Sequence, residues 1–448
     1  MNPSERKLYL VTVGVRLAVL ILILATLGTH GLISFGDAPN YHDMARDMVR
    51  YHSFATLDYP LLEGTRPPGY PFYLAIFLFL HLPLWLASLL QIILVSFIPI
   101  ITMRLCNLFQ ATPDSVYGIE DPRFDKSNRD KWVGWVSALE PLGVFYSVVL
   151  LSDTFGALFF IAGIYLLVRF WQSRDIKLLA LSALFLALMN YIRPSGLFFY
   201  LLIPCVLIIA GFLWDRPQVK KIIVYGLIFA GVFTLILLPW RMRNMREFGV
   251  FGFVSGIERQ LYDITAVAVR ARAENVPYPQ MQLKMREEIK PLLPEPRDMA
   301  SFYNHGILTA PALHIILAHK FDYAIIYGRS LLTFLTSGNY QYILQVYNFI
   351  NSESAYLIWS LLGRVFWSLI FALSLFGAYQ SWKNHKASFA VLIYVSLLLY
   401  SMLLVANLTV GVEARHRLFL HPFYFIFVAI AIERIITWQK NYQTKKLS

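Results

Sequence analysis

A few charged residues stand where an otherwise apolar chain should carry none. Asp37 follows the first long apolar run, Arg66 lies in the polar segment after it, and Asp153 falls at the turn between two later runs. Arg193 occupies the next such turn. Arg241, Arg243 and Asn244 follow the seventh run, and Glu413, Arg415, Arg417 and His421 precede the last. A carboxylate or guanidinium at a membrane-embedded or interfacial position is costly, so each is a functional hypothesis by default. A positioned carboxylate can take a proton as a general base. Arginine offers bidentate geometry to phosphate oxygens. Charges drawn from many helix ends to one interface suit a substrate that is half lipid and half polar.

The elements that position these residues follow from composition. Of the 448 residues, 57% are hydrophobic, 16% aromatic and only 15% charged, with mean hydropathy +0.55. An ordinary soluble domain is roughly 25% charged and roughly 45–50% apolar. The composition therefore excludes an ordinary soluble globular protein, a disordered chain and a disulfide-stapled secreted scaffold. The two cysteines, Cys106 and Cys205, sit in apolar runs and form neither a metal-ligand spacing nor a disulfide framework. The net charge of +12 is read as the Lys and Arg bias of cytoplasmic loops, and no nucleic-acid partner is expected. The first apolar run, Leu17 to Phe35, is too long for a signal-peptide core and reads as a retained span.

A spanning helix needs about 20 mostly apolar residues. Such runs lie at about 15–35, 84–105, 132–150, 153–171, 178–192, 196–214, 222–240, 357–382, 387–408 and 417–437. The expected fold is all-α: a polytopic helical membrane protein with about ten transmembrane helices. Residues 71–81 are apolar but short, and Pro67-Pro68-Gly69-Tyr70-Pro71 blocks a straight helix entering them, so they read as an interfacial or re-entrant helix. Residues 1–240 form an N-terminal transmembrane module with a first outer loop at 36–83. Residues 241–355 mix charged, aromatic and apolar side chains and read as an extracytoplasmic or interfacial helical domain, although Tyr323–Ser337 is an alternative span broken by Arg329. Residues 356–448 hold the C-terminal helices. Arg6, Lys7 and Arg16 before the first span, and Arg434, Lys440, Lys445 and Lys446 after the last, put both termini on the cytoplasmic side. On that topology the charges of the opening paragraph share the outer face. The chain shows no internal repeat.

Several motifs lie at those places. The first loop reads Gly36-Asp37-Ala38-Pro39-Asn40-Tyr41-His42-Asp43 and then Thr65-Arg66-Pro67-Pro68-Gly69-Tyr70-Pro71. Leu151-Ser152-Asp153-Thr154, Tyr191-Ile192-Arg193-Pro194, Pro239-Trp240-Arg241-Met242-Arg243-Asn244 and Ala414-Arg415-His416-Arg417 with Pro422 follow in order. This series resembles the GT-C-fold glycosyltransferases, specifically the group related to protein O-mannosyltransferases and the lipid A aminoarabinose transferase. Many relatives carry Asp-Glu at the first motif, where this chain has Asp37-Ala38. Asp43 is the candidate for the missing second carboxylate.

The resemblance implies an inverting glycosyltransferase. Its donor would be a sugar on polyprenyl monophosphate, and its acceptor an envelope glycan, lipid or protein. The site would lie at the extracytoplasmic side of the membrane, which in a bacterium is the inner membrane. Asp37 would be the general base. Arg415 foremost, with Arg417, Arg193 and Arg243, would hold the donor phosphate, while Tyr41, Arg66 and Asp43 would position substrate. Asp153 would orient the acceptor, hold an arginine or share a divalent cation with Asp37; no other cofactor is implied.

Blander roles stand beside these. Asp37 could be a solvated helix cap, Asp153 the N-cap of the next helix, and Arg193 a snorkelling side chain before a helix-initiating proline. Glu140-Pro141, in mid-span, reads as a kink whose carboxylate pairs with a neighbouring helix, outside the site. The rival function is a secondary transporter or flippase of a lipid-linked sugar. That class favours paired halves and polar groups at the bilayer midplane.

Overall fold

The first helix starts well before its apolar run. Asn2 Oδ1 accepts from the Glu5 amide and Glu5 Oε2 accepts from the Asn2 amide, both at 2.9 Å. This reciprocal cap satisfies two orphan donors, and the helix runs Pro3–Leu27. It ends at Gly28, whose φ of +62° lies in the region that favours glycine. A short turn, His30–Ile33, then delivers the chain to Gly36 and Asp37.

The computed structural model describes residues 1–54, 64–109, 126–294, 302–347, 349, 352–383, 388–407 and 413–447. Part of the first outer loop and most of the charged loop at 107–131 lie outside these. The described residues contain helices and no strand. Seven helices are long and apolar enough to cross a membrane: Pro3–Leu27, Leu84–Leu108, Ser152–Ser173, Arg216–Phe248, Glu353–Lys383, Phe389–Asn407 and Ala414–Gln439. The protein is an all-α integral membrane protein.

The other three expected spans are shorter or broken. Ile176–Ile192 and Phe199–Trp214 are apolar but have 17 and 16 residues. The third is split into Lys126–Leu139 and Pro141–Val148, with Glu140 between them. Pro141 cannot continue the preceding hydrogen-bond ladder. Glu140 instead caps the new helix, accepting from the amides of Leu142 (2.8 Å) and Gly143 (2.6 Å), and its Oε2 stands 3.4 Å from His421 Nδ1. The mid-span carboxylate therefore pairs with a neighbouring helix. The proline-flanked segment after Arg66 is the helix Gly69–Phe79. Pro71 lies in its first turn, where an amide would lack an intrahelical partner.

Small residues let the helices approach closely, as packing without a hydrophobic drive between helices requires. Gly163 sits against Leu186, and Ser182 Oγ donates to the Gly163 carbonyl at 2.8 Å. A Cβ at Gly377 would overlap the Phe427 carbonyl. Beyond the helix Val219–Phe248, a second apolar core gathers Tyr262, Val267, Met281, Met285, Ile289 and Ala312. The later part of 241–355 packs differently. Phe334 and Tyr347 belong to the main core, and Tyr323 and Tyr327 donate to carbonyls of the helix Ser388–Asn407, at Ala406 (3.1 Å) and Met402 (3.2 Å).

Candidate active site

The site is assembled at one end of the bundle from helix termini. Gly36 has φ +56°, and a Cβ there would lie 2.9 Å from Arg415 Nη1. Only glycine meets both the backbone and the space requirement. Asp37 occupies the N-cap position of the helix Ala38–Tyr51 but caps nothing. Its Oδ1 accepts from Arg66 Nη2 at 2.9 Å, and its Oδ2 lies 3.1 Å from Arg415 Nη1. Asp153, in the first turn of Ser152–Ser173, is not the cap of that helix either. Its Oδ1 stands 2.7 Å from Arg193 Nη1 and its Oδ2 4.0 Å from Arg415 Nη1. Glu413 closes the ring, with Oε2 at 2.9 Å from Arg415 Nε. Arg415 thus bridges three carboxylates, with only 8% of its side chain exposed.

The supports of this cluster are specific. Tyr41 and Ser152 share a hydrogen bond of 2.9 Å, which ties the helix after Asp37 to the residue before Asp153. Arg66 lies over the Tyr41 ring, 5.1 Å from its centroid. Arg193 is carried on a turn whose Gly196 amide donates to Asn190 Oδ1 at 3.0 Å and whose Ser195 carbonyl accepts from Tyr400 at 2.8 Å. The segment bearing Arg66 is held by the Ser255 amide, which donates to the Gly64 carbonyl at 2.8 Å. Asn244 Nδ2 donates to the carbonyls of Gly252 (2.9 Å) and Phe253 (3.2 Å), and Trp240 Nε1 to Phe253 (3.0 Å). The Trp-x-x-x-Asn part of the motif beyond the seventh run is thus a clamp on the strap that holds Arg66.

Three expected residues are not in the cluster. Asp43 is exposed and pairs with Arg46 at 3.0 Å. It lies two residues beyond the buried Tyr41, and two helical steps of about 100° each turn it to the opposite face. Arg417 is fully buried, but it donates to the carbonyls of Phe334 and Ser337 and stacks on Trp367 at 4.3 Å. The turn Ala414–Leu420 is a 3₁₀ helix, and residues two apart on it point in different directions. Arg243 lies among Phe54, Trp240 and Phe248. Its Nη1 donates to Asn244 Oδ1 at 2.8 Å. Glu413, given no site role from the sequence beyond being a charge before the last span, joins the ring through Arg415.

Burial raises the Asp37 carboxyl, but Arg66, Arg415 and Arg193 outweigh that and hold it well below the usual carboxylate range. Glu413 goes the other way. Burial pushes it up, Arg415 opposes, and Asp153 and Asp37 add to the rise. Several buried atoms in the ring, namely both Asp153 oxygens, Glu413 Oε2 and Arg415 Nε and Nη1, sit at ion-pair distance without an aligned hydrogen bond. A divalent cation shared by Asp37 and Asp153 does not fit this donor set, because the Arg415 guanidinium already stands between them. Among the described residues, no three His, Cys, Asp or Glu side chains are grouped to hold a metal ion.

A cavity of about 300 Å³ is lined by none of the ring residues but by segments next to them in the chain. Its walls include Leu197 and Phe198, soon after Arg193, and Phe253 and Ser255 on the strap that holds Arg66. Arg241 and Glu258 supply its charge.

No family model matches the chain, and no curated protein sequence matches it. Solved structures similar in fold include the following two. One is the archaeal oligosaccharyltransferase AglB from Archaeoglobus fulgidus, in complex with an inhibitory peptide and a dolichol-phosphate. It is 12% identical, with 99% of this chain and 51% of that chain covered, at a TM-score of 0.49. The chain therefore spans about half the length of that protein. The other is ArnT from Cupriavidus metallidurans bound to undecaprenyl phosphate. It is 13% identical, with 94% of this chain and 77% of that chain covered, at a TM-score of 0.39.

Proposed function

We propose that this protein is an inverting membrane glycosyltransferase that moves a sugar from a polyprenyl-monophosphate donor to a hydroxyl of an envelope glycan, lipid or protein on the extracytoplasmic side. The observation that carries this reading is the ring of Asp37, Arg415, Asp153 and Glu413 at the helix ends. The sequence motifs that resemble the GT-C group hold two of those carboxylates and the arginine. The Lys and Arg bias of the loops supports the sidedness.

In the reaction, the acceptor oxygen attacks the anomeric carbon as the bond from that carbon to the phosphate oxygen breaks. The electron pair leaves on the polyprenyl phosphate, and the acceptor proton passes to Asp37. Attack from the side opposite the phosphate inverts the anomeric centre. Guanidiniums already fixed in a water-poor site stabilise the phosphate charge as it grows, with no reorganisation at the moment of reaction. Arg415 is the residue for this task, because its weakly aligned ion pairs can be exchanged for phosphate oxygens. In the resting protein its charge also keeps Asp37 a weak base. A phosphate that draws Arg415 away strengthens that base when the donor is in place. The cavity behind the strap that holds Arg66, apolar with an arginine and a glutamate, is suited to an amphipathic acceptor.

The test is incubation of purified protein with a panel of polyprenyl-phosphate sugars, followed by assay for free polyprenyl phosphate. Asp37→Asn should slow release by about 10²- to 10⁴-fold and still bind donor. Turnover at the wild-type rate by that variant would remove Asp37 from the mechanism. A transporter or flippase is the lesser reading, since the exchangeable charges meet at helix ends.

A further inference from the structure

The six charges of the ring cancel. Arg66, Arg193 and Arg415 face Asp37, Asp153 and Glu413 through pairs of 2.7, 2.9, 2.9, 3.1 and 4.0 Å. If the donor is a polyprenyl-phosphate sugar, it is a phosphodiester and adds one fixed negative charge. Every guanidinium of the ring is already matched by a carboxylate of the ring. An unmatched charge in a buried site is strongly unfavourable, so one carboxylate must give up its charge as the phosphate arrives.

The geometry distinguishes among the three. Asp37 is held by both Arg66 and Arg415, and Asp153 by Arg193 as well as Arg415. Among the described residues, Glu413 has an ion pair with Arg415 alone, through Nε. That guanidinium is the one assigned above to the phosphate, so phosphate binding strips Glu413 of its counter-charge and leaves the other two carboxylates with theirs. The groups facing Glu413 are Arg415, Asp153, Asp37 and Arg193, with Tyr146 from the helix Pro141–Val148. On its own turn, His416 Nδ1 accepts the Glu413 amide at 3.0 Å, which occupies that ring nitrogen.

We propose that binding of the donor phosphodiester is coupled to uptake of a proton from solvent by Glu413, which releases Arg415 to the phosphate. The coupling rests on the donor assignment above. Burial already raises the Glu413 carboxyl, in the direction that favours protonation. No covalent bond changes in this step. Glu413 is a positioning residue, because it acts through Arg415 and not on the reacting atoms.

The test needs no turnover. The full-length protein in detergent is titrated with a polyprenyl methyl phosphodiester, which carries one charge and no titrating proton. Calorimetry in buffers of differing ionisation enthalpy counts the protons exchanged. Above the Glu413 titration the wild type should take up about one proton per ligand, and affinity should fall about tenfold per pH unit. Glu413→Gln, checked for an intact melting transition, should bind with no uptake and with affinity independent of pH. Wild-type binding without proton uptake overturns the proposal by itself, with no variant needed. Undiminished uptake in Glu413→Gln overturns it as well. Absence of binding at every pH instead overturns the donor assignment, and the coupling falls with it.

Discussion

Arg415 Nη1 stands 3.1 Å from Asp37 Oδ2, so the turn before the last helix closes directly onto the segment that follows the first. The contact exists only because Gly36 leaves room for the guanidinium. It makes the two ends of the transmembrane region a single site and adds Arg415 to Arg66 and Arg193 in holding the Asp37 carboxyl down.

Gly36→Ala tests that closure. The new Cβ would meet Arg415 Nη1 at 2.9 Å and would hold φ +56° against its preference, the latter at a cost of about 1–2 kcal/mol. Donor binding and transfer should fall well below wild type, while Gly14→Ala, at a position with open space around it, should be silent. Measurement of sugar release for the two variants checks this. Equal activities would mean that Arg415 does not need its observed position.

The Asp37 ion pairs should persist in acid. Arg66, Arg415 and Arg193 hold its folded-state carboxyl below the unfolded value, which is about 3.9. A lowered carboxyl contributes stability that is fully present above the unfolded value and is lost as pH falls through the folded one. The gap in melting temperature between wild type and Asp37→Asn should therefore stay constant from pH 7 to about pH 4 and narrow only below that. A gap that closes by pH 5 would contradict the geometry.

Glu140 and His421 should matter for stability and not for transfer. Both are buried, at 7% and 4% exposure, and they pair at 3.4 Å away from the ring. Glu140→Ala removes the cap of the helix Pro141–Val148, a loss of about 0.5–2 kcal/mol, and takes the carboxylate away from its buried His421 neighbour. The melting temperature should drop clearly, while kcat at a permissive temperature stays near wild type.

Asn244→Ala should act at a distance. It removes both hydrogen bonds to the carbonyls of Gly252 and Phe253, each worth about 1 kcal/mol, and so loosens the strap that holds Arg66. The expected signature is a raised KM for donor with the acid limb of the pH–rate profile moved toward higher pH, since Arg66 then lowers Asp37 less. An unchanged profile would mean that the strap does not govern Arg66.

How much of this was legible in the sequence differs from residue to residue. Asp37, Arg66, Asp153, Arg193 and Arg415 stood out, because a charge beside a long apolar run is costly enough to need a reason. The same argument singled out Arg417, Arg243 and Asp43, which the structure places outside the ring. The cost of burial is met equally by backbone carbonyls for Arg417, by an aromatic nest for Arg243 and by exposure for Asp43. Sequence spacing carries no sign of which compensation is used on a 3₁₀ turn or at a loop-to-helix junction.

By itself the sequence determined the all-helical membrane class, the approximate places of the spans and the short helix Gly69–Phe79, because those depend on local apolar length and on proline chemistry. Tertiary structure alone decided that Arg415 bridges three carboxylates, Glu413 among them. It also decided that Trp240 and Asn244 hold the strap at Gly252 and Phe253. Those outcomes depend on which helix ends meet, and that is set by packing between segments hundreds of residues apart, where charge pairs form only once the backbone has brought them together.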